Sequence, residues 1–130
     1  MIMIPPLVID KTSKIPQIIF DPDSDTYEIS GKSLPENVVK EYEPVLQWID
    51  DYIGIIDKPI IFNFKIDYLN SASAKMVSLI LSKLEDFYKS GIDIKVNWHY
   101  YEDDDDIQTE GEVYAKLKKI PINLICIEED

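Results

Sequence analysis

Between Ile60 and Leu69 the chain alternates in character, with Phe62, Phe64, Ile66 and Tyr68 on one parity and Asn63, Lys65 and Asp67 on the other. Ile92–Tyr100 repeats the pattern, setting Ile92, Ile94, Val96 and Trp98 against Asp93, Lys95, Asn97 and His99. A period of two describes a strand with one buried and one solvated face. Strands covered by helices on both sides read instead as continuous apolar runs. The segment between the two predicts a helix, about Ala72–Lys89, with Met76, Ile80, Leu84 and Phe87 on one stripe and Gly91 as its stop. A helical crossover between two strands favours parallel pairing. These segments therefore predict a sheet with helices mainly on one face and a largely solvated opposite face.

The rest of the chain extends this frame. Residues 1–14 read as an extended lead-in, carrying Pro5 and Pro6 and followed by Pro16. Gln17–Asp21 and Thr26–Ser30 read as a hairpin closed by the turn-rich Pro22-Asp-Ser-Asp25. Pro35 opens a helical pattern through Val38, Tyr42, Val45, Ile49 and Ile53, in which Pro44 predicts a kink or two short helices. A third helix is expected over about Glu110–Lys119, and a last strand over Ile122–Ile127. The expectation is one α/β domain over residues 1–130, a two-layer mixed sheet in the order β-β-α-β-α-β-α-β. No repeat or Gly/Ser-rich linker marks a boundary within it.

Thirteen basic and 25 acidic residues give a net charge of −12. That field repels phosphate backbones and anionic lipid, so neither nucleic acid nor a membrane surface is an expected partner. A basic protein or a divalent cation suits it better. Cys126 is the only cysteine, which rules out an internal disulfide, and its apolar surroundings predict a buried, inert thiol. Met1–Ile4 lacks a basic flank and is cut short by proline, so no signal peptide or membrane span is expected, and the expected compartment is cytoplasmic.

The segment Asp67-Tyr-Leu-Asn-Ser-Ala-Ser-Ala-Lys75 places polar residues where a strand ends and a helix begins. One reading is capping, with Asn70 or Ser71 offering a side-chain oxygen to unpaired N–H groups, worth about 1 kcal/mol. The other adds a phosphate: free N–H groups and the positive end of the helix dipole stabilise a dianion, so a phosphoserine changes the surface without unfolding its host. The run Glu102-Asp-Asp-Asp-Asp106 lacks the glycine and alternating ligands of an EF-hand, and reads as a solvated loop leading into a helix or a docking patch for a basic partner. His99 is the only histidine, and no triad or glycine-rich phosphate loop accompanies it. No catalytic residues, metal or cofactor are expected. A rival reading makes the chain a small acid/base or metal-assisted enzyme using Asp103–Asp106 and His99; another makes it an unmodified adaptor. Most of Trp48, Trp98, Tyr42 and Tyr68 are expected in the core, with the exposed edge of Tyr100–Tyr101 as a candidate contact.

The run Asp67–Lys75, continued by Met76–Leu81, resembles the strand-turn-helix of the SiaC-like regulatory phosphoproteins, whose pattern is Tyr-Phe-Asn-Thr-Ser-Ser-x-Lys. Gly31-Lys-Ser33-Leu-Pro35-Glu36-Asn37, Trp98-His-Tyr100, and the acidic run closing in Glu110-Gly111-Glu112 resemble the same family, in the same order, over about residues 10 to 127. The resemblance places the family's phosphorylated threonine on Ser71, with Ser73 as the alternative acceptor and Ala72 in place of a family serine. It implies a partner-switching protein, phosphorylated by a protein kinase and dephosphorylated by a SpoIIE-type phosphatase, whose unphosphorylated form binds and activates a diguanylate cyclase. The expected partner-binding residues are Asn70, Ser71, Ser73 and Lys75 with Asp103, Asp104 and Asp105. The strand-serine-helix layout is also similar to anti-sigma-factor antagonists, which makes the expected topology STAS-like.

Overall fold

The computed structural model describes residues 3–128. Its elements are β1 (Leu7–Ile9), β2 (Gln17–Asp21), β3 (Thr26–Ser33), α1 (Val38–Tyr52), a single 3-10 turn (Ile53–Ile55), β4 (Ile60–Leu69), α2 (Ser71–Lys89), β5 (Ile94–Tyr101), α3 (Asp105–Leu117) and β6 (Ile122–Ile127). The six strands form one sheet in sequential order. β1, β2 and β3 pair antiparallel, whereas the joins β3–β4, β4–β5 and β5–β6, each spanned by a helix, are parallel. The expected mixed sheet is present, with β1 as an added strand inside the lead-in.

The alternation seen in the sequence is the division between two faces. Ile18, Phe20, Tyr27, Ile29, Ile60, Phe62, Phe64, Ile94, Val96 and Trp98 are buried on one face, under the helices. Their helical counterparts are Tyr42, Val45, Trp48 and Ile49 of α1 and Val77, Ile80, Leu81 and Leu84 of α2. Phe20, Tyr27, Trp48 and Phe62 form an aromatic cluster with ring centroids 5.2–6.3 Å apart. Each large side chain so buried contributes on the order of 1.5–3 kcal/mol of transfer free energy. The opposite face is polar. There Lys65 pairs with Glu28 at 3.0 Å, and Asn63 Oδ1 accepts from Asn97 Nδ2 at 3.3 Å and lies 3.0 Å from His99 Nε2.

Several expectations are corrected. Pro44 does not divide α1 into two short helices: α1 runs unbroken through it, and its surroundings are exposed, so the carbonyl it leaves without an intrahelical donor is open to water. β5 starts at Ile94, not Ile92, because the end of α2 uses Ile92: Gly91 has φ +108°, its N–H donates to the Tyr88 carbonyl, and Ile92 N–H donates to the Phe87 carbonyl, both at 3.1 Å. α3 begins five residues before the expected Glu110, since 110 − 105 = 5, drawing Asp105 and Asp106 out of the loop into its first turn. Cys126 is exposed, because β6 is an edge strand. Tyr68 is also outside the core, 50% exposed, because the register shift makes Asp67 an extra residue in β4 and sets Tyr68 opposite the exposed Lys32.

Candidate functional site

The site lies where β4 and β5 end and α2 and α3 begin. In open sheets with parallel strands, the crevice beyond the carboxyl ends of the strands is the usual binding position. Here it is a groove of about 640 Å³. Asp67 and Tyr68 of β4, with Asn70, Ser71 and Ala74 at the start of α2, form one wall. Asp104, Asp106, Ile107, Glu110 and Val113 of α3 form the other.

Asn70 is the cap of α2. Its backbone is extended (φ −77°, ψ 170°), and its Oδ1 accepts from Ser73 N–H at 2.8 Å. The first regular helical bond runs from Ala74 N–H to the Asn70 carbonyl, 2.9 Å. This leaves the N–H groups of Ser71 and Ala72 ahead of the hydrogen-bonded ladder, at the positive end of the helix dipole. Ser71 is the first residue of α2 and is exposed. The sequence left Asn70 and Ser71 as equal candidates for the cap; with Asn70 in that role, the Ser71 hydroxyl is not needed for it.

Ser73 lies on the other side of the helix. It is fully buried and accepts a hydrogen bond from the Ser33 hydroxyl at 2.8 Å. Ser33 Oγ is also 2.6 Å from Tyr42 Oη, and the Ser33 carbonyl accepts from Asn70 N–H at 3.1 Å. A buried hydroxyl chain thus ties the start of α2 to β3 and α1. Burial raises the Tyr42 phenol above its usual pKa, opposed by the Ser33 hydrogen bond. Ser73 is therefore corrected from surface contact to internal anchor, and its hydroxyl is closed to a kinase in this conformation. Ser33 keeps the inward parity of Tyr27 and Ile29, and the β3–β4 register, shifted by the extra residue Asp67 in β4, sets it opposite Leu69, next to the Asn70 cap.

Across the groove, Asp104 caps α3, its Oδ1 accepting from Ile107 N–H at 3.1 Å. Asp105 and Asp106 occupy the first turn, where their charge complements the helix dipole. The acidic run is thus a helix start, and among the described residues it joins no group of three or more His, Cys, Asp or Glu suited to a metal. His99 lies on the open sheet face beside Asn63, away from α3, so the shared site needed by the enzyme reading is not assembled. Burial lowers the His99 pKa, with Lys65 adding to the effect and Glu28 opposing it. Asp103, Asp105 and Lys75 are exposed around the groove without lining it. Tyr68, Asp67, Glu110 and Val113 line it but were not singled out for binding, although Glu110 closes the acidic motif and Tyr68 opens the serine motif. The lining contains four carboxylates, Asp67, Asp104, Asp106 and Glu110, and no basic side chain.

The sequence profile of the SiaC family of regulatory phosphoproteins matches residues 9–127. An uncharacterized protein of Pseudomonas aeruginosa strain UCBPP-PA14 is 29% identical over 94 residues, 72% of this chain and 75% of that protein. The fold is similar to the crystal structure of apo-SiaC from Pseudomonas aeruginosa, with a TM-score of 0.84 and 25% identity over 93% of this chain and 98% of that one. It is also similar to a structure of the diguanylate cyclase SiaD from the same organism in complex with its activator SiaC, with a TM-score of 0.86 and 24% identity over 93% and 99% of the two chains. Among the described residues, no helix is long and apolar enough to cross a membrane.

Proposed function

This chain belongs to the SiaC family of regulatory phosphoproteins, and from that premise we propose that it is a non-enzymatic switch whose unphosphorylated form binds and activates a diguanylate cyclase. Ser71 is the acceptor, and a kinase and a SpoIIE-type phosphatase set its state. The observation that carries this reading is the contrast between two hydroxyls two residues apart, on opposite sides of the helix. Ser71 is exposed on the groove wall with free N–H groups beside it, whereas Ser73 is locked under the helix by Ser33.

Polarity follows from charge. A phosphate on Ser71 adds about −1.5 to −2 charges to a groove already lined by carboxylates. Within the chain, the helix dipole favours that charge by roughly 0.3–1 kcal/mol, so the fold persists. Under a docked partner, the same dianion meets desolvation and like-charge repulsion of several kcal/mol. At about 1.4 kcal/mol per tenfold, binding falls by two orders of magnitude or more. The partner surface that fits the unmodified groove is basic or neutral, with apolar groups to meet Tyr68 and Val113.

The experiment is fragment-ion mass spectrometry of the chain isolated from its own cells. Cleavage after lysine releases Ile66–Lys75, which contains both serines. The expected result is one phosphate, on Ser71, removed in a Ser71→Ala strain. Phosphate on Ser73 instead, or none under any growth condition, overturns the assignment.

A further inference from the structure

The two edges of the sheet are built differently. β1 is three residues long, entered from Pro5–Pro6 and left at Asp10, so it offers little to a further strand. β6 is six residues long, Ile-Asn-Leu-Ile-Cys-Ile, with no charge, proline or glycine. Among the described strands it pairs with β5 alone, and Leu124 and Cys126 are exposed along it. Edges are ordinarily protected by lysine, proline or a bulge within the strand, and β6 carries none of these.

The backbone direction of β6 is fixed at both ends. Val96 N–H donates to the Pro121 carbonyl at 2.9 Å, and Glu102 N–H to the Ile127 carbonyl at 3.2 Å. The odd-numbered residues therefore face β5, and the N–H and C=O groups of Ile122, Leu124 and Cys126 point outward. We infer that a second copy of this chain pairs with β6 in antiparallel fashion, about a two-fold axis through Leu124, joining the two sheets edge to edge. In that register Leu124 faces its own counterpart and Ile122 faces Cys126 of the second copy. Each facing pair exchanges two backbone hydrogen bonds, which uses every outward group of the strand.

Charge selects the occupant. Lys118 and Lys119 precede β6, and Glu128 follows it. Antiparallel self-pairing brings Glu128 of each copy next to Lys119 of the other, at both ends of the joint. The net charge of −12 opposes association, but the joint itself is uncharged, and more distant repulsion is screened over about 8 Å at physiological salt. The contact is small, so the dimer is a weak one, with a dissociation constant on the order of 10–100 μM.

Sedimentation velocity of the full chain from about 5 to about 500 μM tests this. The expected result is a reversible monomer–dimer equilibrium. Leu124→Lys places like charges at the two-fold axis, and Leu124→Pro removes an outward N–H, at an edge position where proline is tolerated. Each should weaken association at least about tenfold with an unchanged far-ultraviolet circular dichroism spectrum. A wild-type chain that stays monomeric throughout, or a dimer indifferent to both substitutions, overturns the inference. A further variant does not depend on those two folding: Leu124→Cys with Cys126→Ser should form an intermolecular disulfide faster than the wild-type Cys126, which faces Ile122. The reverse order also overturns it.

Discussion

Gly111 sits where α3 crosses the Trp98 indole, and Gly111→Ala tests whether that contact holds the groove's second wall. A methyl group at Gly111 meets Trp98 Cδ1, lies 2.6 Å from Nε1 and 2.7 Å from Leu124 Cδ2. Carbon contacts settle near 3.5–4.0 Å, so α3 must move outward by roughly 1 Å. The indole has nowhere to retreat. It is fully buried, stacked on Phe64 at 5.5 Å, met edge-on by Tyr114 at 5.4 Å, and its Nε1 donates to the Ile107 carbonyl at 2.9 Å. Overpacking costs about 1–3 kcal/mol, and stretching the indole hydrogen bond adds about 1. The better helix propensity of alanine returns about 1, leaving a net loss of about 2 kcal/mol. At roughly 3–5 °C per kcal/mol for a domain of this size, Tm should fall by about 6–10 °C in calorimetry. Trp98→Phe removes the atoms that meet the new methyl, so the double variant should lose less than the sum of the singles. A Gly111→Ala chain as stable as wild type, or strict additivity in that cycle, refutes the reasoning.

Asn70→Ala should cost about 1 kcal/mol in urea unfolding and speed amide exchange at Ser73, whereas unchanged exchange would deny Asn70 the capping role. Tyr27 is buried, with its hydroxyl unpartnered among the described residues, and burial with the nearby Asp25 and Asp21 charges pushes its pKa up to about 12. The fold therefore holds it neutral while the unfolded chain ionises near 10, so stability is full below pH 10 and declines between pH 10 and 12; an ultraviolet titration showing Tyr27 ionising near 10 contradicts this. The single histidine, His99, should titrate below 6.5 by NMR. Its folded form prefers the neutral ring, so its contribution is lost as pH falls below the unfolded value, and a raised pKa would contradict the packing described on the open face.

The parts of this fold that were legible in the sequence are those where one local pattern decides the outcome. β4 and β6 have their expected limits, because uninterrupted alternation or a bounded apolar run leaves no competing structure. α2 begins one residue early, at Ser71, because Asn70 supplies the cap. The misread segments are those governed by partners distant in sequence. β1 exists because β2 supplies a neighbour, and nothing in Leu-Val-Ile alone announces it. The start of α3 was hidden because aspartates suit a loop and a helix N-terminus equally, and only the Asp104 cap decides. The burial of Ser73 depends on Ser33, forty residues away, and on the β3–β4 register that sets Ser33 opposite Leu69. Gly31 and Ser33 lie in one recognisable motif, but their link to α2 requires the parallel pairing of β3 with β4.

Central to this account is that one phosphate on Ser71 changes partner binding without changing the fold. The direct test is calorimetric titration of the chain, with phosphoserine installed at Ser71 during translation, into the diguanylate cyclase proposed as its partner, beside the unmodified chain. The account predicts that the phosphorylated form binds at least about a hundredfold more weakly while its Tm stays within about 2 °C. Equal affinities, or tighter binding by the phosphorylated chain, would contradict it.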